Sequence, residues 1–236
     1  MIVYGRNAVR EALRGRRAGS LGQVWVTERL LGEPWAAEAR PKVVRPTELE
    51  RLCGSPAHQG ICADAGPYPY VDASTLTGVG GLVLALDRVQ DPQNLGAIAR
   101  SAECAGARGV VIPERRAAEV TPAVCKASAG AVEHLPVARA GNVADFLETV
   151  KREGAWCYGA AAAGGRPYSA IDYGAAAVLV LGGEGRGLGR RVARSCDELV
   201  SIPLRGRIES LNVASAATVL LYAILHRAEP GLDRAP

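Results

Sequence analysis

The sequence predicts an α/β chain of two domains, the second built on a parallel sheet. Two observations carry this. From residue 82 onward, short apolar runs alternate with stretches of helical spacing, and runs such as Leu82–Val89 are apolar on both faces. Strands of that kind, separated by helices, belong in a parallel sheet covered on both sides. Residues 66–80, with two prolines and three glycines, break every regular pattern and read as a linker. The expected division is 1–65, a small α/β domain; 66–80, the linker; and 81–236, the parallel-sheet domain.

In the first domain the spacing predicts helices over Gly5–Leu13, Pro34–Ala39 and Thr47–Leu52 and strands over Gln23–Thr27, Lys42–Val44 and Gly60–Asp64. Thr47 and Glu50 have the spacing of a capping box. After the linker, Leu82–Val89 is a strand. Asp91 then Pro92 reads as an N-cap and first helical position, and that helix runs to Gly106. Gly109–Pro113 is a strand, Thr121-Pro122 opens a helix in the same way, His134–Ala138 is a strand, and Asn142 caps a helix over Val143–Glu153. Trp156–Ala162, Ala177–Gly182 and Glu198–Leu204 are strands, and Ser210 caps a long final helix reaching Ala228.

Composition narrows the function. The 236 residues are 48% apolar, enough for a sizeable core. No apolar run approaches the roughly 20 residues of a membrane span, and the first residues lack a signal-peptide pattern, so a cytoplasmic protein is expected. None of the six cysteines forms a Cys-x-x-Cys pair, so they read as free thiols. Cys53, His58 and Cys62 lack a fourth ligand, and no metal is expected. The net charge of +4 is mild, but Lys42, Lys126 and Lys151 are the only lysines; arginine, the other basic residue, suits bidentate phosphate contacts. No Gly-x-Gly-x-x-Gly follows the first strand of the second domain, and no phosphate-cradling Gly-x-x-x-x-Gly-Lys-Ser/Thr occurs.

Three segments stand out, each at the end of an apolar run: Asp87-Arg-Val-Gln-Asp-Pro-Gln-Asn-Leu-Gly-Ala-Ile-Ala-Arg100, Leu181-Gly-Gly-Glu-Gly-Arg-Gly-Leu188 and Ile202-Pro-Leu-Arg-Gly-Arg-Ile-Glu-Ser-Leu-Asn-Val213. Ligands on a parallel sheet lie at the carboxyl ends of its strands. Six residues along a helix turn a side chain by about 240°, so Asn94 sits in the entry turn if it shares a site with Arg100. The glycines of the second segment let backbone groups approach a ligand, and Glu184 among them can orient Arg100 or bind a hydroxyl. Asn212 is one of four asparagines in the chain, and asparagine is poor inside a helix, which points to a used side chain.

The three segments resemble the signature motifs of the SpoU (TrmH) family, knotted RNA 2′-O-ribose methyltransferases of the SPOUT superfamily. The resemblance covers roughly 82–228 and implies a deep trefoil knot that binds S-adenosylmethionine. By position it implies Asn94, Arg100, Glu184, Ser210 and Asn212 as catalytic residues. It places the cofactor against Leu181, Gly182 and Gly183, against Ile202, Pro203 and Leu204, and against Leu211. Leu204 stands where the family often has Met. The segments Tyr4–Leu13 and His58–Ala63 resemble the N-terminal domain of RlmB-type members, which methylate a guanosine ribose in the P-site loop of 23S rRNA. That resemblance implies an RNA-binding domain, for which Arg6, Arg10, Arg14, Arg16 and Arg17 are the candidate contacts. It also implies a homodimer whose sites are completed across a two-fold axis.

Methyl transfer to a ribose 2′-OH requires an aligned acceptor oxygen and a route for its proton. The family proposal makes the matching arginine the base. A guanidinium resists deprotonation, so Arg100 could instead hold a phosphate or stabilise the developing alkoxide. Two other readings stay open: the same chemistry on another rRNA ribose or a tRNA ribose, and a catalytically inactive RNA-binding assembly factor.

Overall fold

The computed structural model describes residues 1–78 and 80–226. Packing divides them into two units. The first is Met1–Pro69 with Glu119–His134, and the second is Tyr70–Ala118 with the described residues from Leu135 onward.

The first unit holds β1 (Ile2–Tyr4), α1 (Arg6–Ala12), β2 (Val24–Val26), α2 (Pro34–Glu38), β3 (Lys42–Val43), α3 (Pro46–Cys53) and β4 (Ile61–Asp64). Its sheet runs β1-β4-β2-β3, antiparallel except for β2 with β3. Val44, Leu49 and Cys62 form a core with Ile2, Tyr4 and Trp25 packed against it. Helix α3 starts two residues earlier than a Thr47 cap would place it. Pro46 takes its first position and Arg45 the N-cap, with no side-chain cap; proline is suited to that place because its missing N–H has no partner there anyway.

Helix α5 (Pro122–Ala127), which Thr121 caps as expected, also belongs to this unit. What ties it in is a buried ion pair. Arg17, 1% exposed, directs Nε to Glu133 Oε2 at 2.9 Å and Nη2 to Glu133 Oε1. The Arg17 Nη1 group donates to the Ala65 carbonyl at 3.4 Å, the guanidinium lies 5.5 Å from the Tyr68 ring, and Arg16 N donates to the Glu133 carbonyl at 2.9 Å. Burial opposes the Arg17 cation, and the Glu133 carboxylate more than offsets this, so its pKa is raised. Arg17 is therefore structural and has no surface to offer RNA, which corrects the expectation for it.

The second unit holds β5 (Val71–Asp72), β6 (Gly81–Asp87), α4 (Pro92–Ala105), β7 (Gly109–Pro113), β8 (Val137–Ala140), α6 (Val143–Arg152), β9 (Trp156–Ala160), β10 (Arg166–Pro167), β11 (Ala176–Gly182), α7 (Arg190–Ser195), β12 (Glu198–Ser201) and α8 (Val213–Leu225). Its eight strands run β10-β12-β9-β11-β6-β7-β8-β5, every pair parallel. Part of the expected linker is thus a sheet edge, and Leu76 within it is buried. Asp91 Oδ1 caps α4 by accepting from Gln93 N at 2.9 Å, and Asn142 Oδ1 caps α6 by accepting from Ala144 N at 2.9 Å. Val83 and Ala85 pack with Val178, Val180 and the buried face of α6; Leu82, Leu84 and Leu86, which alternate with them, are buried too. Helices α4 and α8 pack on each other, joined by Ser101 Oγ and Thr218 Oγ1 at 2.7 Å. The final helix starts at Val213 rather than at the residue after Ser210, and its expected end at 227–228 lies outside the described residues.

Burial pushes the Cys62, Cys157 and Cys196 thiols up to about 12 and Cys125 to about 11. Among the described residues, no three His, Cys, Asp or Glu side chains are placed to hold a metal ion, and no helix is long and apolar enough to cross a membrane.

The ion pair makes a direct prediction. Arg17→Met strands the Glu133 carboxylate and should destabilise the protein by about 3 kcal/mol or more in urea unfolding. Arg17→Met with Glu133→Leu should recover most of that loss. A single variant as stable as the parent would show that the pair does not hold the unit together.

Candidate active site

The centre of the site is the seam between β6 and β11, where Gly182 pairs with Asp87 at the carboxyl ends of both strands. Asp87, 7% exposed, holds the loop that follows β11 at two points. Its carbonyl accepts from Gly183 N at 2.8 Å, and its Oδ2 accepts from Gly189 N at 2.6 Å. Arg88 adds Nε and Nη2 contacts to the same carboxylate at 3.2 and 3.3 Å. The loop closes on itself through Gly187 N to the Gly183 carbonyl, 3.0 Å. A Cβ on Gly182 would lie 2.1 Å from the Gly187 carbonyl carbon, and one on Gly183 would lie 2.3 Å from the Arg88 carbonyl oxygen. Only glycine allows this approach.

Three side chains from distant segments meet beside the loop. Asn94 is the third residue of α4, in the entry turn as expected, and is buried. Asn212, not Ser210, is the N-cap of α8: its Oδ1 accepts from Ala214 N at 2.8 Å and Ser215 N at 3.4 Å. That duty fixes the amide, so Nδ2 is left to donate to Asn94 Oδ1 at 3.0 Å. Asn94 must then present its own Nδ2, which donates to Glu184 Oε1. Each amide spends its acceptor in one direction and its donor in the other. The used side chain expected for Asn212 is therefore a cap and a relay together.

This seam opens on a cavity of about 600 Å³, in the range of small-molecule sites. Leu181, Gly182, Gly183, Ile202, Leu204 and Leu211 line it, with Glu184, Ser210 and Asn212. Pro203 does not line it. Gly185 and Gly187 of the loop, Ala160 at the carboxyl end of β9, Ala161 and Ala162 after it, and Val200, Glu209, Val213, Ala216 and Leu220 complete the wall, and sequence reasoning did not name them as cofactor contacts. Leu204 and Leu211, at 38% and 44% exposure, leave apolar surface facing the opening. An apolar slot with two carboxylates, Glu184 and Glu209, suits a ligand with an aromatic ring, hydroxyls and a positive charge. Arg100 does not join the others. It is exposed on another face of α4 and makes no side-chain hydrogen bond or ion pair among the described residues; Glu184 takes Asn94 instead of Arg100.

The sequence profile described as the SpoU rRNA Methylase family matches residues 81–222. The chain belongs to the SpoU methylase family. A second profile, RNA 2′-O ribose methyltransferase substrate binding, matches residues 2–71. Over 97% of its length the chain is 36% identical to YacO of Bacillus subtilis, placed by name in the TrmH family of tRNA/rRNA methyltransferases, and it covers 96% of that protein. It is 38% identical, over 99% of its length, to an uncharacterized tRNA/rRNA methyltransferase of Synechocystis, of which it spans 64%. Among solved structures, the AdoMet-bound rRNA methyltransferase of Sinorhizobium meliloti matches with a TM-score of 0.79 at 28% identity, covering 97% of this chain and 87% of that one. The SpoU methyltransferase AviRb of Streptomyces viridochromogenes, in complex with AdoMet, matches with a TM-score of 0.77 at 25% identity, covering 96% and 89%. The SpoU family member described here is an RNA 2′-O-ribose methyltransferase, and its cofactor is S-adenosylmethionine.

The loop geometry separates two glycines. Gly182→Ala should lower S-adenosylmethionine affinity at least tenfold in calorimetry, because the new methyl meets backbone. At Gly185 (φ +72°), which also lines the cavity, a Cβ meets no protein atom within 4 Å, so Gly185→Ala should cost about 1 kcal/mol of stability through left-handed strain and lower cofactor affinity less than Gly182→Ala does. Equal cofactor affinities for Gly182→Ala and the parent would separate the loop from the cofactor.

Proposed function

We propose that the protein transfers a methyl group to the 2′-hydroxyl of a guanosine ribose in the P-site loop of 23S rRNA. The relay from Asn212 through Asn94 to Glu184, set on the wall of the glycine-loop cavity, is the observation that supports a working active site over an inactive scaffold. The matched substrate-binding profile over residues 2–71 supports an RNA target. When bound, S-adenosylmethionine supplies an electrophilic methyl on a sulfonium.

Leu181, Gly182, Gly183, Ile202, Leu204 and Leu211 would hold the cofactor, and the relay keeps the Glu184 carboxylate aimed at the cavity, where it can accept from a ribose hydroxyl. In the transfer, the acceptor oxygen would take the methyl, leaving S-adenosylhomocysteine, while Glu184 would hold the 2′-hydroxyl, accept its proton and pass it to solvent. Arg100 stands apart from this cavity, so we assign it to a site completed by a second copy of the chain. There its guanidinium would stabilise the developing alkoxide or hold a neighbouring phosphate. Val219 and Tyr222 leave an exposed apolar face on α8, consistent with a two-fold contact. The family's trefoil knot belongs to the same reading.

In the first unit, Arg14 and Arg16 are exposed and without side-chain partners among the described residues, whereas Arg6 pairs with Glu33 and Arg10 with Glu11. Arg14 and Arg16 are the best placed of the candidate RNA contacts. A groove of about 900 Å³ in this unit is lined by Arg6, Arg29, Arg45 and His58 together with Glu28 and Glu48, a surface of mixed charge.

The test is transfer of labelled methyl from S-adenosylmethionine to 23S rRNA, mapped by ribose-methylation sequencing, with tRNA as the parallel substrate. A single modified guanosine in 23S rRNA is expected; modification of tRNA alone moves the target, and none in any RNA removes the function. Arg100→Ala should lower kcat by about 10² or more while cofactor affinity is kept. Light scattering should show a dimer, and an active monomer at micromolar concentration would overturn the shared site.

A further inference from the structure

We propose that a second pocket, which shares the glycine loop with the cofactor cavity, holds the backbone phosphate that flanks the methylated ribose. This rests on the reading of the protein as an RNA methyltransferase. The pocket has a volume of about 460 Å³ and is lined by Arg88, Gln90, Arg116 and Arg186, with Gly183, Glu184 and Gly187. Those last three residues also line the cofactor cavity, so the glycine loop is a wall common to both.

The three arginines come from the turns after three adjacent parallel strands. Arg186 follows β11, Arg88 follows β6 and Arg116 follows β7, and the sheet order is β11-β6-β7. They gather at the carboxyl edge of the sheet, where ligands bind. Two of the three have no ion-pair partner among the described residues. Arg88 directs Nε and Nη2 to Asp87. Arg116 and Arg186 are exposed and make no side-chain hydrogen bond or ion pair among the described residues. Glu184, the acidic side chain of the lining, accepts from the neutral Asn94 amide and keeps its charge, so the lining carries three guanidiniums against Glu184 and the Asp87 partner of Arg88, a net positive charge.

The backbone supports the same conclusion. Arg88 (φ 63°) and Arg116 (φ 60°) both occupy the left-handed region. Residues with a Cβ pay a strain cost there, and such strain concentrates at ligand clamps. Two of the three guanidiniums facing one small polar pocket are thus carried on unfavourable backbone.

Converging guanidiniums repel one another unless an anion sits between them. A phosphodiester matches them in charge and in its paired oxygens, and the Gln90 amide can donate to a third position. The choice of phosphate follows from the common wall. In RNA the 3′-phosphate hangs from the carbon next to the one bearing the 2′-hydroxyl. A ribose whose hydroxyl meets Glu184, which lines both pockets, therefore has its 3′-phosphate within reach of the arginines.

The test uses the full chain with Arg116→Gln, Arg186→Gln, the pair together, and Arg116→Lys. Each glutamine variant should raise the KM for RNA roughly tenfold, the loss of one charged hydrogen bond, and flatten the log–log salt dependence of RNA binding by about 0.7. S-Adenosylmethionine affinity by calorimetry should match the parent, and Arg116→Lys should recover part of the KM, since lysine keeps the charge without the fork. Inorganic phosphate should compete weakly with RNA for the parent and not for the double variant. Parental RNA KM and salt slope in the glutamine variants would overturn the pocket while leaving the methyltransferase reading intact. So would phosphate binding that depends on Arg116 and Arg186 without any change in RNA KM, which would mark a free-anion site. Failure of the parent to methylate any RNA would overturn the enzyme reading itself and the pocket with it.

Discussion

One carboxylate organises the site. Asp87 ends the central strand β6 and is nearly buried, a position that costs free energy unless the charge is well bonded. It is bonded on both sides: Gly189 N of the loop after β11 donates to Oδ2 and Arg88 neutralises it from the rim, while the Asp87 backbone carbonyl holds the same loop at Gly183. The cavity floor, the placement of Glu184 and the direction of Arg88 all follow from that anchoring. Remove the carboxylate and the loop keeps its backbone bonds at Gly183 but loses its far anchor at Gly189.

A second constraint comes from helix capping. The first amides of α8 need an acceptor, and Asn212 Oδ1 provides it. Because an amide has one acceptor and one donor end, satisfying the helix decides how Asn94 and Glu184 are bonded. Structure and chemistry are served by the same atoms, so a change at Asn212 acts on both. Asparagine does this where serine cannot, since a hydroxyl that accepts from the helix lacks a rigid, oppositely directed NH₂.

Much of this was legible in the chain itself. Asp91-Pro92, Thr121-Pro122 and Asn142 announce helix starts by local chemistry, and all three hold. The apolar runs give the parallel sheet, and the motif positions at strand ends give most of the cavity lining. The exceptions have physical causes. Thr47 has the capping-box spacing, but Pro46 before it is a better first helical residue. Helix α7, Arg190–Ser195, is short and arginine-rich, and little but Val192 marks its buried side. Ser210 is a good cap in isolation, yet Asn212 wins because it bonds both the helix and Asn94. Arg17 reads as one more basic surface residue because its partner, Glu133, lies 116 positions away. Asp87 opened the first motif but gave no sign of its role, which depends on a register between β6 and β11 that no local pattern reports.

The account stands on the glycine loop being the place where the cofactor lies. Hydrogen–deuterium exchange with and without S-adenosylmethionine tests this directly. Slowed exchange at Leu181 to Gly187, Ile202 to Leu204 and the start of α8, with the first unit unchanged, is the predicted result. Unchanged exchange across those segments at saturating cofactor, or protection confined to residues 24–60, would contradict it.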